Sequence, residues 1–350
     1  MPMLNLLFFL GMVLSNVSFM TVQKPSAVLP TGSKPPDEKW HRYEYSEPHM
    51  GTIFRIQLYA PAQEQADQAA QAAFARVQAL NAIFSDYQED SELMQLCKRA
   101  GSGPVAVSPE LYDILLQSWA WSARSEGAFD VTLGPRVQRW RKARRTRQLP
   151  AQAAIEEARS RLGYQALELL PGSRVTLKKP RMRLDLGGIA KGYTADEVQK
   201  VLKQHGITSA CVAAGGDVCV SARPPGKPGW VVSIAPLTHD EEVATQLLLE
   251  HQAVSTSGDL EQYVEIAGVR YSHLVNPKTG FGLTQRMSAT VVARQATDSD
   301  AAATALCILD REKGLALIEK QPGLAAMLVV QQGTEKRAYE SSRWKRLVLK

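Results

Sequence analysis

Four cysteines in 350 residues cannot build a disulfide scaffold, and no two of them stand at CxxC spacing. That excludes a zinc ribbon and a thioredoxin-type redox motif. No repeat of fixed period runs through the chain. Long hydrophobic runs are missing too. Residues 4–20 are apolar but broken by Asn5, Ser15, Asn16 and Ser18, whereas a membrane span needs about 20 mostly apolar residues. An excess of basic charge is missing outside one place. The net charge is +6, yet seven basic residues and no acid lie between Arg136 and Arg147, and without them the balance is −1. A nucleic-acid binder spreads its basic charge over a footprint, so nucleic acid is not an expected partner. The run itself reads first as a solvated, mobile arginine-rich loop, and second as a docking patch for phosphate, anionic lipid or an acidic partner.

What is present is ordinary globular usage, 45% apolar and 22% charged, at a length that suits two domains or one large one. Residues 1–20 read as a secretory signal peptide or N-terminal anchor, residues 21–39 as a Pro-rich linker, and residues 40–350 as the folded domain. Export permits disulfides. Cys97, Cys211, Cys219 and Cys307 all sit in apolar contexts, however, so buried free thiols are expected.

Phe54, Ile56 and Leu58 alternate with Arg55 and Gln57, which predicts a half-buried strand over 51–59. Helices are expected over 62–84, 108–126, 151–162, 190–205 and 298–309, the second opened by Ser108-Pro109 as cap and first turn. Residues 174–177 and 181–186 flank a Lys-Lys-Pro turn and read as a hairpin. Further strands are expected at 210–214, 230–234, 246–250, 263–266, 269–275 and 287–293. Long helices with runs of antiparallel strands make an α+β fold, mixed or antiparallel sheets packed with helices.

Five short stretches break the pattern of core and surface. Residues 84–92 (FSDYQEDSE) set polar groups around one aromatic after a helix, as a loop would. Residues 127–135 (GAFDVTLGP) place an acid beside an aromatic between two glycines. Residues 184–192 (LDLGGIAKG) lie at a strand-to-helix junction. Two glycines there let backbone approach a ligand, and free N–H groups at a helix N-terminus favour an anion. Lys191 in the first turn is badly placed for the helix dipole but well placed for a phosphate. The pattern matches neither the dinucleotide nor the P-loop fingerprint. Residues 272–280 (SHLVNPKTG) end a strand, and a lone His273 there also reads as a structural hydrogen-bonder. In residues 297–304 (TDSDAAAT), Thr297 and Asp300 have capping-box-like spacing, which a simple N-cap explains. Asp300 and Thr304, at i and i+4, share a helix face and suit a hard cation such as Mg²⁺.

Taken in order, MGT at Met50, SDYQEDSEL, GAFDVTLGP, LDLGGIAKGY, AAGGD at Ala213, STSGD at Ser255, YSHLVNPKTG and DSDAAATALCIL resemble the ApbE family of FAD:protein FMN transferases across residues 50–309. The resemblance implies an exported enzyme, periplasmic or on the outer face of the inner membrane, that depends on Mg²⁺. It implies transfer of FMN from FAD to a Thr or Ser hydroxyl of an acceptor flavoprotein as a phosphoester, with AMP released. A membrane redox-complex subunit is the kind of acceptor implied, with membrane association through the N-terminus. By the same resemblance, Met50, Tyr87, Ala128, Phe129, Asp130, Asp185, Lys191 and Val275 contact FAD. Gly188 (through its carbonyl), Asp300 and Thr304 hold the metal, and His273 activates the acceptor hydroxyl. An ordinary imidazole pKa near 6.5 suits that proton transfer at neutral pH. Two features depart from the family. The arginine run stands where the family has an apolar, glycine-containing segment, and no cysteine precedes Cys97 to carry a lipid. A metal-dependent FAD pyrophosphatase, giving FMN and AMP, would share every residue named. A non-catalytic flavin carrier would have no use for the metal set.

Overall fold

The computed structural model describes residues 40–234, 245–259 and 262–349. The segments read as signal peptide or anchor and as linker lie outside the described residues. β1 (His41–His49) and β2 (Thr52–Ala60) form a hairpin that turns at Met50 and Gly51, both at positive φ, as a two-residue hairpin loop requires. Phe54, Ile56 and Leu58 are buried against α1 (Gln63–Phe84) as the alternation predicts, while Gln57 on the other face, expected to be exposed, is buried too. A helical segment follows: α2 (Glu92–Lys98), β3 (Val105–Ala106), α3 (Pro109–Arg124), α4 (Gly134–Thr146) and α5 (Gln152–Arg159). Ser91 and Ser108 cap α2 and α3, their hydroxyls accepting from Met94 and Leu111 N–H groups.

The chain then runs through β4 (Leu167–Leu170), β5 (Arg174–Leu177), α6 (Ala190–Gln204), β6 (Ala210–Ala214), β7 (Asp217–Val220), β8 (Trp230–Ile234), β9 (Thr245–Leu249) and β10 (Gln252–Gly258). It closes with β11 (Tyr263–Ile266), β12 (Val269–Ser272), β13 (Met287–Ala293), α7 (Ala296–Ile308), α8 (Arg311–Lys320), β14 (Ala325–Gln332) and β15 (Glu335–Glu340). Eight strands make one sheet in the order β1-β2-β6-β7-β10-β13-β14-β15, every neighbouring pair antiparallel. The fold is α+β, as expected.

Burial explains two helices that carry the centre. β13 is buried along its whole length, and α7, which packs on β10 and β13, is buried nearly all round. Its alanines are small enough to be enclosed on every face, so no amphipathic period remains. α6 crosses it at closest approach. A Cβ at Gly192 would lie 2.2 Å from the Ala296 carbonyl oxygen, so only glycine lets the two backbones meet there.

Four expectations need correction. Residues 181–186 are not a strand. β5 pairs instead with β4 and β3, and the segment after Pro180 runs extended along α2 and the 131 turn, with Leu184 N–H on Cys97 Sγ and Asp185 N–H on Val131 O. The arginine run is not a loop but α4, because Trp140 and Ala143 bury one side of it. α7 begins at Ala296, and Thr297 is no cap: the Asp196 carboxylate from α6 takes the Ala296 and Thr297 N–H groups at 2.8 and 2.9 Å. The Thr297 hydroxyl donates to the same carboxylate. Strand 269–275 ends at Ser272. All four cysteines are free; Cys97, Cys219 and Cys307 are buried and Cys211 partly so.

Candidate active site

Three elements converge where α6 begins. Asp300 on α7 accepts the Gly192 N–H at 3.1 Å, a contact that the close helix crossing permits. One turn further on, Thr304 presses its hydroxyl against Gly188: a Cβ there would be 2.9 Å from Oγ1. Ser257 Oγ at the end of β10 lies 3.4 Å from the same hydroxyl. Asp217 enters from the first position of β7, straight after the Gly215-Gly216 turn. Gly215 is at φ +64°, and a Cβ on Gly216 would lie 2.7 Å from the Thr256 carbonyl oxygen. Lys191 Nζ stands between the carboxylates, 3.1 Å from Asp217 Oδ2 and 3.5 Å from Asp300 Oδ2, and donates to the Gly187 carbonyl at 3.3 Å.

The electrostatics follow from burial. Both carboxylates are 2% exposed. Burial and the neighbouring Asp217 push the Asp300 carboxyl up to about 7, against the pull of Lys191 and the Gly192 N–H. Burial disfavours the Lys191 ammonium, but the two carboxylates outweigh it and hold that group well above its usual range. Ionised, two carboxylates against one ammonium leave a buried negative charge, and Asp217 Oδ2 accepts no hydrogen bond beyond its ion pair. Carboxylate and hydroxyl oxygens around such a point fit a hard cation like Mg²⁺. Among the described residues no cluster of three or more His, Cys, Asp or Glu exists. A cation here would therefore rest on two carboxylates plus hydroxyl and backbone oxygen.

A second group lies along α4. Asp185 accepts the Gly187 N–H at 2.8 Å on Oδ1 and the Arg141 guanidinium at 2.7 Å on Oδ2. Arg141 also pairs with Asp86, and its Cζ sits 4.3 Å from the Tyr87 ring centroid. Burial and the adjacent Asp185 raise the Asp86 carboxyl, while Arg141 and Arg183 act the other way. Tyr87 itself is 75% exposed. It opens a cavity of about 610 Å³ whose other walls include Arg141, Arg144, Arg145, Tyr263 and Glu265.

The remaining sequence-derived residues are spread out. Phe129 is buried with its ring edge 3.3 Å from where a Gly188 Cβ would stand, so it floors the glycine turn. Ala128 is buried beside it. The Asp130 carboxylate is occupied by its own chain: it accepts from Thr132 N–H at 2.8 Å, Thr132 Oγ1 at 2.7 Å and Tyr164 N–H at 3.2 Å. Burial raises its pKa despite those bonds. Met50 is partly buried and takes the Thr194 hydroxyl on its sulfur at 3.6 Å. Val275 is buried with Trp140, Val264 and Ile266.

His273 follows β12. Its ring Nδ1 is 3.2 Å from the Gln262 carbonyl, which also accepts the His273 N–H at 2.9 Å. A carbonyl can only accept, so Nδ1 carries the proton and Nε2 is left as a base. Burial, with Arg144 and Lys191 nearby, lowers its pKa to about 4, not the ordinary 6.5. The structure thus joins Gly188, Lys191, Asp300 and Thr304 directly, and Tyr87 and Asp185 through Arg141. Two residues at these contacts had no site role assigned from the sequence, Asp217 in the AAGGD stretch and Arg141 in the arginine run. Asp217 could have been found by its place after two glycines at a strand start.

The ApbE family model matches residues 50–328. An FAD:protein FMN transferase of Treponema pallidum is 33% identical over 305 residues, covering 82% of this chain and 84% of that protein. Another, from Klebsiella pneumoniae, is 33% identical over 293 residues, 81% of this chain and 83% of that one. Among solved structures, the flavin transferase ApbE from Vibrio cholerae superposes with a TM-score of 0.79 at 27% identity, covering 88% of this chain and 99% of that one. Agreement in motif order, in fold and in sequence over most of its length means that the chain belongs to the ApbE family.

Proposed function

We propose that this chain is an exported FAD:protein FMN transferase. It moves FMN from FAD to a Thr or Ser hydroxyl of an acceptor flavoprotein, and residues 1–20 serve as its export signal or membrane anchor. The observation that carries this reading is the Lys191 ammonium held between Asp217 and Asp300, beside the Thr304 hydroxyl and the Gly187-Gly188 turn. That arrangement suits a phosphate and a cation side by side. Asp300, Thr304 and the Gly188 carbonyl would hold Mg²⁺, with Asp217 facing the same point. Bound there, Mg²⁺ would neutralise charge on the FAD pyrophosphate and on the departing AMP phosphate.

The chain's own groups do the rest. Lys191 binds phosphate oxygens from the first turn of α6, where its ammonium already stands between the two carboxylates. Tyr87 offers an exposed ring for stacking, Asp185 offers hydrogen-bond acceptors, and Met50 and Val275 supply apolar contact. Phe129 and Ala128 fix the glycine turn from beneath. Asp130 acts through the backbone it caps, its carboxylate being already satisfied. His273 Nε2 takes the proton of the acceptor hydroxyl as its oxygen attacks the FMN phosphorus. The pyrophosphate P–O bond to AMP breaks, one phosphoester forms, and AMP leaves. Positioning and charge neutralisation dominate such phosphoryl transfer.

Incubation with FAD, Mg²⁺ and a candidate acceptor, followed by denaturing gel fluorescence and AMP quantification, tests the reading. One covalent flavin per AMP, with AMP release stimulated by acceptor, is expected. AMP formed equally fast without acceptor, and no flavin surviving denaturation, would make the chain an FAD pyrophosphatase instead.

A further inference from the structure

The six arginines of the run do three different jobs. Arg136 is buried and donates to the Pro277 carbonyl, Arg139 pairs with Glu157, and Arg141 pairs with Asp86 and Asp185. Arg144, Arg145 and Arg147 have no ion-pair partner among the described residues, and all three line the cavity that Tyr87 opens. Cations in the last turn of a helix are favoured by its dipole, which accounts for charge there but not for convergence on one hollow. Against these three unpaired guanidiniums the cavity lining has a single carboxylate, Glu265, with Tyr87 and Tyr263 beside it, each ring stacked on one face by an arginine, Arg141 and Arg270. The cavity also adjoins the transfer base. Gln262, whose carbonyl holds His273, directly precedes the Tyr263 of the cavity wall.

We infer that this cavity is the docking groove for an acidic segment of the acceptor protein, seated beside the hydroxyl that receives FMN; the inference rests on the transferase reading above. Planar guanidiniums match carboxylates bidentately, and aromatic walls accept the backbone and aliphatic stems between them. The FAD pyrophosphate has its own cationic partner in Lys191, so the arginines are left for a second anionic group. The near-neutral remainder of the chain offers no extended footprint for nucleic acid. Acidic-motif capture by an arginine cluster is a recurring recognition mode.

The test uses the full chain with FAD and no Mg²⁺, so that nothing turns over. The probe is a fluorescent eight-residue peptide containing one Thr and three Glu, compared with its Gln counterpart by anisotropy. At 50 mM salt the Glu peptide should bind about tenfold tighter or more, and the gap should close toward 0.5 M as screening shortens to a few ångströms. R145Q/R147N should abolish the preference with FAD affinity unchanged; Asn suits the left-handed φ of +53° at position 147. R145E/R147E should turn the preference toward a Lys peptide. If that variant does not fold, R145Q/R147N alone decides. Equal binding of Glu and Gln peptides by the unaltered chain overturns the inference. So does a loss of FAD affinity in R145Q/R147N, which would assign the arginines to the flavin. Arginine-dependent binding to vesicles one-third phosphatidylglycerol, without any peptide preference, would assign them to a lipid surface. A standing peptide preference with no covalent flavin on any acceptor would sink the transferase reading and leave the arginine groove for acidic segments in place.

Discussion

His273 illustrates how an environment can set a role that residue type alone leaves open. From the sequence it was a lone histidine at a strand end, with its ordinary pKa. In the fold its Nδ1 is tied to the Gln262 carbonyl, and burial beside Arg144 and Lys191 lowers its pKa to about 4. The imidazole is therefore neutral across the physiological range. With Mg²⁺ kept saturating at each pH, FMN transfer should hold nearly level from pH 7.5 down to about 5.5, where an unperturbed histidine would lose activity near 6.5. His273→Asn should cut transfer by about 10²–10⁴ and spare FAD binding, the usual measure of a general base. The stability sign is fixed by the same shift. The unfolded imidazole takes up a proton below about 6.5 and the folded one only near 4. Stability from this group is thus present above 6.5 and lost as pH falls through that window. Denaturant unfolding at pH 7 and pH 5 should show a smaller acid loss in His273→Asn than in the unaltered chain. Equal acid losses would mean that the ring titrates normally in the fold. The sequence placed the residue and its resemblance-derived role; the partly buried setting comes from Gln262, just before β11, and from Arg144, over a hundred residues away in the second case.

Among elements, α4 departs furthest from its sequence reading. Its mean character is so polar that an exposed loop was the natural reading, yet Arg136, Trp140 and Ala143 make a stripe at helical spacing. The stripe was masked because one of its buried positions is an arginine, whose charge is carried inward onto the Pro277 carbonyl. Helices 190–205 and 298–309 were legible from their punctuation, within two residues at each end. β15 was not, since Glu335–Glu340 is a charged, exposed edge with no apolar alternation to read. Trp140 is the joint between α4 and the catalytic loop. It is 1% exposed, its Nε1 donates to the Ser272 carbonyl at 3.0 Å, and its ring meets Tyr271 edge-on with centroids 5.4 Å apart. A Cβ on Gly282 would lie 2.5 Å from its six-membered ring, so the backbone that returns after the loop is packed against it. Trp140→Ala should destabilise by about 3–5 kcal/mol, the range for emptying a large aromatic site. It should also lower kcat for transfer, because His273 follows Ser272 directly, while the Kd for FAD stays within about threefold. Urea denaturation and FAD titration check both. A destabilised variant with full kcat would show that α4 supports the fold without positioning the base.

At the scale of the whole molecule, the oxygen cluster ties together parts of the chain that sequence order keeps apart. Asp217 comes from β7, Gly188 from the approach to α6, and Asp300 and Thr304 from α7. Periodicity could place Asp300 and Thr304 on one helix face, but it could not bring Asp217 to them. That contact depends on β7 lying beside β10 in the sheet and on Gly192 letting α6 touch α7. A cation bound at this junction braces three elements at once, so its binding should register in global unfolding. At a hundred times its Kd, a ligand specific to the folded state adds about 2.7 kcal/mol, or about 5 °C in Tm for a chain of this size. The pH dependence follows from Asp300. Its carboxyl is pushed up to about 7 when folded, against 3.8 in the open chain, so without metal its ionisation costs stability as pH rises between those values. A cation that needs the ionised form must displace that proton below about pH 7 and meets no proton above it. Scans in Mg²⁺ against EDTA should therefore show the larger Tm difference at pH 8 and a clearly smaller one at pH 5.5. Asp300→Asn should lose the difference at both, while unfolding without metal at pH 8 becomes no easier, since Asn keeps an acceptor for the Gly192 N–H and removes one of two facing carboxylates. A Mg²⁺ effect that survives Asp300→Asn, or that is independent of pH, would place the cation away from this junction.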